Sequence, residues 1–223
     1  MTHASIPHYR WLAIVAALLG WFGLALQLWF SIQMTQEEGG TTLEGVWLFL
    51  GFYTILTNLL VVGVLTAAAT DSRNRLGQFL SRPGVQTAAA MSIVIVSAIY
   101  NLMLRQLWSP TGWLRVADLT VHDAVPLLYI VNWWLAVPKG ALCWSQVLVW
   151  QSYPAGYFAY VLLRGAINGW YPYPFLDVNA LGYLQVLLNS VGVLVAFIVV
   201  AMVLVALGRW QARRQAQAAA NPA

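Results

Sequence analysis

Cysteine occurs once in 223 residues, at Cys143, so a disulfide scaffold is excluded. Lysine also occurs once, at Lys139, and histidine three times, at His3, His8 and His122. Charge is scarce: 8% of the residues are Asp, Glu, Lys or Arg, against about 25% in an average soluble chain. Eleven Lys and Arg with seven Asp and Glu cannot cover a soluble globule of this length. Disorder requires low hydrophobicity and high charge, and this chain is 61% hydrophobic with a mean hydropathy of +0.70. The net charge of +4 does not form a nucleic-acid patch, because the basic residues stand singly at segment ends. What is abundant is tryptophan and tyrosine, 12 and 10 respectively, residues that suit membrane-interface belts. These features predict an integral membrane protein.

A bilayer core about 30 Å thick needs roughly 20 apolar residues per helix. By that measure the chain predicts an all-α bundle of six transmembrane helices. They cover about Trp11–Met34, Thr42–Ala69, Gln86–Leu107, Ala117–Val137, Ser145–Leu163 (interrupted by Pro154) and Leu181–Leu207. The first run exceeds 20 residues, longer than the apolar core of about 7–15 in a cleaved signal peptide, and is kept as a span. Arg10, Arg73, Arg75, Arg82, Lys139, Arg209, Arg213 and Arg214 fall on one side of this arrangement. Arg105, Arg115 and Arg164 fall on the other, which puts both termini in the cytoplasm. No second domain or repeat is visible. A single transmembrane domain over 1–208 is expected, followed by a polar cytoplasmic tail over 209–223, whose Ala/Gln part after Arg214 reads as a frayed end.

Polar residues inside such spans must be satisfied or line a cavity. Thr54, Thr57 and Asn58 share one face of the second span. Each threonine can bond back to its preceding turn while Asn58 ties two helices together. Alternatively a threonine hydroxyl is a nucleophile, which requires a base. His122 is the only histidine after position 8. Asp118, four residues earlier, can hold one imidazole nitrogen and leave the other as general base. The competing reading is a water-facing helix start favoured by the helix dipole. Thr54 lies about 9–15 Å and His122 about 5–8 Å inside the outer boundary, at a rise of 1.5 Å per residue. Helix tilt and a cavity open to the outer leaflet would close that gap.

Ser97, Asn101 and Arg105 form a polar stripe on the third span, with Tyr100 beside it. Arg105 either snorkels to water or holds a substrate carboxylate. Tyr129, on the fourth span, is a second candidate for substrate contact. The segment Arg164–Asp177, rich in Trp, Tyr, Phe and Pro, is either an interfacial anchor or a rigid lid.

Thr54, His122 with a proline close behind it, and Tyr-Pro-Tyr-Pro-Phe-Leu-Asp before the sixth span resemble a known family. It is the bacterial six-pass branch of the androgen-induced and androgen-dependent transmembrane hydrolases. The resemblance covers about Thr42–Asn189. It implies an enzyme of the bacterial cytoplasmic membrane that hydrolyses fatty-acid esters of hydroxy fatty acids, with a threonine nucleophile, a histidine base and no metal or cofactor. By position the threonine falls on Thr54, with Thr57 as the alternative, and the histidine on His122. Asp123 and a proline one residue earlier are departures from the animal pattern.

On this reading His122 deprotonates Thr54, an acyl-threonine forms, and water releases it. Asn58 and Asn101 are the candidate oxyanion donors, and Asp118 the residue that orients His122. The rivals are a small-solute or lipid transporter and a non-catalytic scaffold. Transport usually leaves charges near mid-membrane or paired broken helices, whereas these charges lie toward the span ends. Two-histidine haem ligation, a retinal lysine and a tight zinc site all lack their residues.

Overall fold

Apolar runs become helices throughout residues 9–220, the part of the chain that the computed structural model describes, and no strand occurs among them. The chain packs as two units divided between Pro138 and Lys139. The first unit contains α1 (Arg10–Glu37), α2 (Thr42–Phe49), α3 (Tyr53–Thr70), α4 (Arg75–Leu80) and α5 (Pro83–Ile99). A π turn (Tyr100–Leu104) and a 3₁₀ turn (Arg105–Leu107) continue α5. Then come α6 (Gly112–Leu119), a second π turn (Thr120–Ala124) and α7 (Val125–Ala136), joined end to end. The second unit contains α8 (Gln146–Trp150), α9 (Ser152–Asn168) and α10 (Val178–Ala220). Among the described residues four helices are long and apolar enough to cross a membrane: α1, α3, the Pro83–Leu107 stretch and α10.

The first unit is built around α1, which packs on α2, α3, α6 and α7. Between Leu12 and Leu24 its buried face is made of small residues, Ala13, Ala16, Ala17, Gly20 and Gly23, which let the neighbouring helices approach closely. A Cβ on Gly20 would lie 2.3 Å from Val62 Cγ1, and one on Gly23 would lie 2.6 Å from Thr120 Cγ2. Gly45 of α2 rests on the α1 backbone at Ile32, and Ser31 Oγ donates to its carbonyl at 2.8 Å. α5 packs between α3 and α7, where Trp133 Nε1 donates to Thr87 Oγ1 at 3.0 Å.

Three segments differ from the sequence expectation. The second span is broken: backbone bonds tighten to the i−3 carbonyl at Gly51 and Phe52, and the chain restarts as α3 with Phe52 extended. A mid-run glycine is the weakest helix former there. The break before α9 falls at Gln151, and Pro154 sits inside the first turn of α9, where its missing N–H disrupts no helical bond. The tail expected to fray is helical through Ala220, because its Ala, Gln and Arg residues favour helix. Within α10 the exception is Gly182, at φ 72°.

The Arg164–Asp177 segment is stitched to its own unit. α9 ends at Gly169 in the left-handed region, and Asn179 Nδ2 donates to the Gly169 carbonyl at 2.8 Å. Arg164 lies 4.9 Å from the Trp170 ring centroid and Tyr173 stacks on Phe175. Asp177 Oδ1 accepts from the first N–H groups of α10.

Candidate active site

Pro126 organises the second π turn. A proline offers no N–H and its ring clashes with the carbonyl four residues back, which here belongs to His122. The helix answers by widening: Val125 N–H reaches the Thr120 carbonyl, five residues back. The Val121 carbonyl thereby loses Val125 as donor, and Pro126 cannot replace it. Asn58 of α3 does, its Nδ2 donating to Val121 O at 3.1 Å and to Thr54 O at 2.8 Å. One buried amide therefore joins the turn that carries His122 to the turn that carries Thr54. Asn58 and Thr57 are fully buried and Thr54 nearly so. The break at Gly51 places Thr54 in the first turn of α3, at the positive end of the helix dipole.

His122 is held on one edge. Its Nδ1 lies 3.0 Å from the Asp118 carbonyl and 3.1 Å from Asp118 Oδ1, on side chains only 12% and 5% exposed. Both neighbours are acceptors, so the proton belongs on Nδ1 and the lone pair on Nε2. Nε2 has no hydrogen-bond partner among the described residues. Tyr100, from the first π turn, stacks on the imidazole with ring centroids 3.6 Å apart and planes 12° from parallel. Its hydroxyl donates to Asp118 Oδ2 at 2.5 Å and accepts from Trp108 Nε1 at 3.3 Å.

A second polar cluster surrounds Asp123. Arg105 Nη2 pairs with Asp123 Oδ2, and Asn101 Nδ2 donates to Asp123 Oδ1 at 2.9 Å. The Asn101 amide also reaches the Ser97 carbonyl at 3.0 Å, and the Arg105 guanidinium lies 5.2 Å from the Tyr100 ring centroid. Two π turns thus face each other and carry the polar groups between them, the placement in which such turns accompany functional sites.

The structure joins Asp118 to His122 and Asn58 to the Thr54 and His122 turns. Asn101 and Arg105 instead meet at Asp123, and Tyr129 is elsewhere: its buried hydroxyl donates to Gln86 O at 3.0 Å. The Asn58 and Asn101 amides, expected as oxyanion donors, here donate to the Thr54 and Val121 carbonyls and to the Ser97 carbonyl and Asp123 respectively. Tyr100 and Trp108 were not singled out as site residues from the sequence. Their bonds link positions in different elements, for which the spacing along the chain offers no signal. Among the described residues no three His, Cys, Asp or Glu side chains come together to hold a metal ion. No protein-family model, curated protein or solved structure matches the chain.

Proposed function

We propose that the protein is a six-span membrane hydrolase, with both termini in the cytoplasm, that cleaves lipid esters by a Thr54 nucleophile and a His122 base. The observation that carries the reading is the His122 imidazole, engaged by Asp118 at Nδ1 and open at Nε2. Supporting six passes are two further helical paths, Gly112–Ala136 and Gln146–Asn168, beside the four long apolar helices. The distribution of the arginines and Lys139 supports the cytoplasmic placement of both termini. The resemblance to the androgen-induced membrane hydrolases points to the same pair of residues and to fatty-acid esters of hydroxy fatty acids as the substrate class. It points to a bacterial cytoplasmic membrane as the location.

In this mechanism Nε2 of His122 takes the Thr54 hydroxyl proton as the oxygen attacks the ester carbonyl. The tetrahedral intermediate collapses, and the leaving alcohol departs with the proton held at Nε2. Water, deprotonated by the same nitrogen, then attacks the acyl-threonine, and Nε2 returns that proton to the Thr54 oxygen as the C–O bond breaks and the acid leaves. The α3 dipole end at Thr54 favours the negative charge that develops on the oxygen. A base placed this way contributes about 10²–10⁴-fold.

Purified protein is tested for turnover of lipid esters and for covalent labelling by a fluorophosphonate. Thr54→Ala and His122→Ala are each expected to abolish both while unfolding as the parent does, and Thr57→Ala to retain both. Absence of turnover and labelling in the parent protein overturns the proposal, and loss in Thr57→Ala but not Thr54→Ala transfers the nucleophile to Thr57.

A further inference from the structure

The donors around His122 converge on Asp118. Trp108 N–H donates to the Tyr100 oxygen, Tyr100 O–H donates to Asp118, and Asp118 faces the imidazole N–H. Tyr100 also covers the imidazole face at stacking distance. One side chain therefore constrains His122 twice, in the plane of the ring through stacking and along its edge through the carboxylate.

We infer that Tyr100 is a positioning residue for His122, one that keeps the ring in the Nδ1–H tautomer and aims Nε2 at the nucleophile; this rests on the hydrolase reading above. Its hydroxyl fixes Asp118 Oδ2, so that the other oxygen of the same carboxylate, Oδ1, stays opposite Nδ1. The Asp118 carbonyl, 3.0 Å from Nδ1, accepts from it whichever way the carboxyl turns; a carboxyl that turns away removes the second acceptor and the negative charge beside Nδ1, so the tautomer with the proton on Nε2 gains population. A base with its proton on Nε2 cannot take one from threonine. Sub-ångström errors in aim compound the loss, since misplacement by about 1 Å can cost about 10²-fold in rate. Trp108, which donates to the phenol oxygen, restrains Tyr100 in turn. The first π turn matters for this arrangement, because it begins at Tyr100 and widens the helix at the residue that reaches across to α6.

The experiment compares Tyr100→Phe, which keeps the stack and loses the hydroxyl, with Tyr100→Leu, which loses both. ¹⁵N spectra of the His122 ring are recorded in full-length protein carrying His3→Gln and His8→Gln. The parent is expected to give a single Nδ1–H tautomer. Tyr100→Phe is expected to add a population with the proton on Nε2, and Tyr100→Leu a larger one. Ester turnover is expected to fall about tenfold and about a hundredfold respectively, in kcat rather than KM. A single unchanged tautomer in both variants, or a loss confined to KM, overturns the inference. If the parent hydrolyses no ester, the hydrolase reading falls by itself, while the ring spectra still decide whether Tyr100 sets the tautomer of His122.

Discussion

Asn58 and Val121 meet across two helices, amide nitrogen to carbonyl oxygen at 3.1 Å, and the contact exists because Pro126 withholds a hydrogen bond five residues further along the chain. A buried carbonyl without a donor costs about 1–3 kcal/mol. The asparagine therefore offsets a defect made by a proline in another helix, and in doing so fastens the two helices that carry Thr54 and His122.

That dependence is measurable as a coupling. Asn58→Leu is expected to destabilise the protein by about 1–3 kcal/mol. In a Pro126→Ala background the second π turn regains a backbone N–H, Val121 finds a donor in its own helix, and the same substitution costs about 1 kcal/mol less. Unfolding of the four proteins in detergent supplies the cycle. Strict additivity would mean that the Asn58 amide is not replacing the proline's missing donor.

The small face of α1 makes a ranked prediction. Gly45→Ala directs its methyl 2.6 Å from Ile32 Cα, which is backbone and cannot turn aside. Gly23→Ala meets the Thr120 side chain at 2.6 Å, and Gly20→Ala meets a single Val62 methyl at 2.3 Å, which a new rotamer or Val62→Ala can remove. Overpacking of this kind costs about 1–3 kcal/mol. Thermal unfolding should place Gly45→Ala lowest, with Val62→Ala restoring much of the loss in Gly20→Ala and none of that in Gly45→Ala.

How much of this was readable beforehand depends on the range of the interaction. The helical character and the long spans follow from apolar runs alone, since lipid leaves the backbone no other partner. The Asp118–His122 contact was legible because four residues make one turn. The shared face of Thr54 and Asn58 was legible for the same reason, but not which carbonyl Asn58 would serve, because Val121 is 63 residues away. Nor could spacing reveal the Tyr100–Asp118 bond or the break at Gly51. Asp123 stood out only as a departure from a family pattern, yet it is where Asn101 and Arg105 converge. The tail after Arg214 was misread as frayed because its polarity outweighed its helix-forming composition.

Lys139 opens the second unit, outside the spans, and burial lowers its amine from the ordinary 10.5 to about 8. The folded chain therefore releases this proton more readily than the unfolded chain does. Between about pH 8 and 10.5 the unfolded state holds more protons, so stability attributable to this group rises with pH across that window and is flat below it. The rise is on the order of 1–3 kcal/mol. Unfolding of Lys139→Met, compared with the parent over pH 7–10.5, should lack that component. Parallel profiles for the two proteins would show that the lysine is solvated as readily in the folded state as in the unfolded one.

Arg105 has two possible duties, holding the carboxylate of a substrate or holding Asp123, and the geometry favours the second. Its guanidinium pairs with Asp123 and lies beside the Tyr100 ring, while Asn101 occupies the other oxygen of the same carboxylate. Both partners are more than a third exposed, so the pair itself contributes no more than about 1 kcal/mol and is weakened by salt. On the hydrolase reading proposed above, its effect on turnover comes instead through the relation of the two π turns. Arg105→Gln is accordingly expected to slow hydrolysis of esters with and without a free carboxylate by the same factor, and Asp123→Asn to do likewise. Steady-state kinetics with a matched pair of substrates, one a free acid and the other its methyl ester, make the comparison. A selective rise in KM for the free acid in Arg105→Gln alone would give the arginine to the substrate, and the clasp between the turns would then have to rest on Asn101 and Asp123.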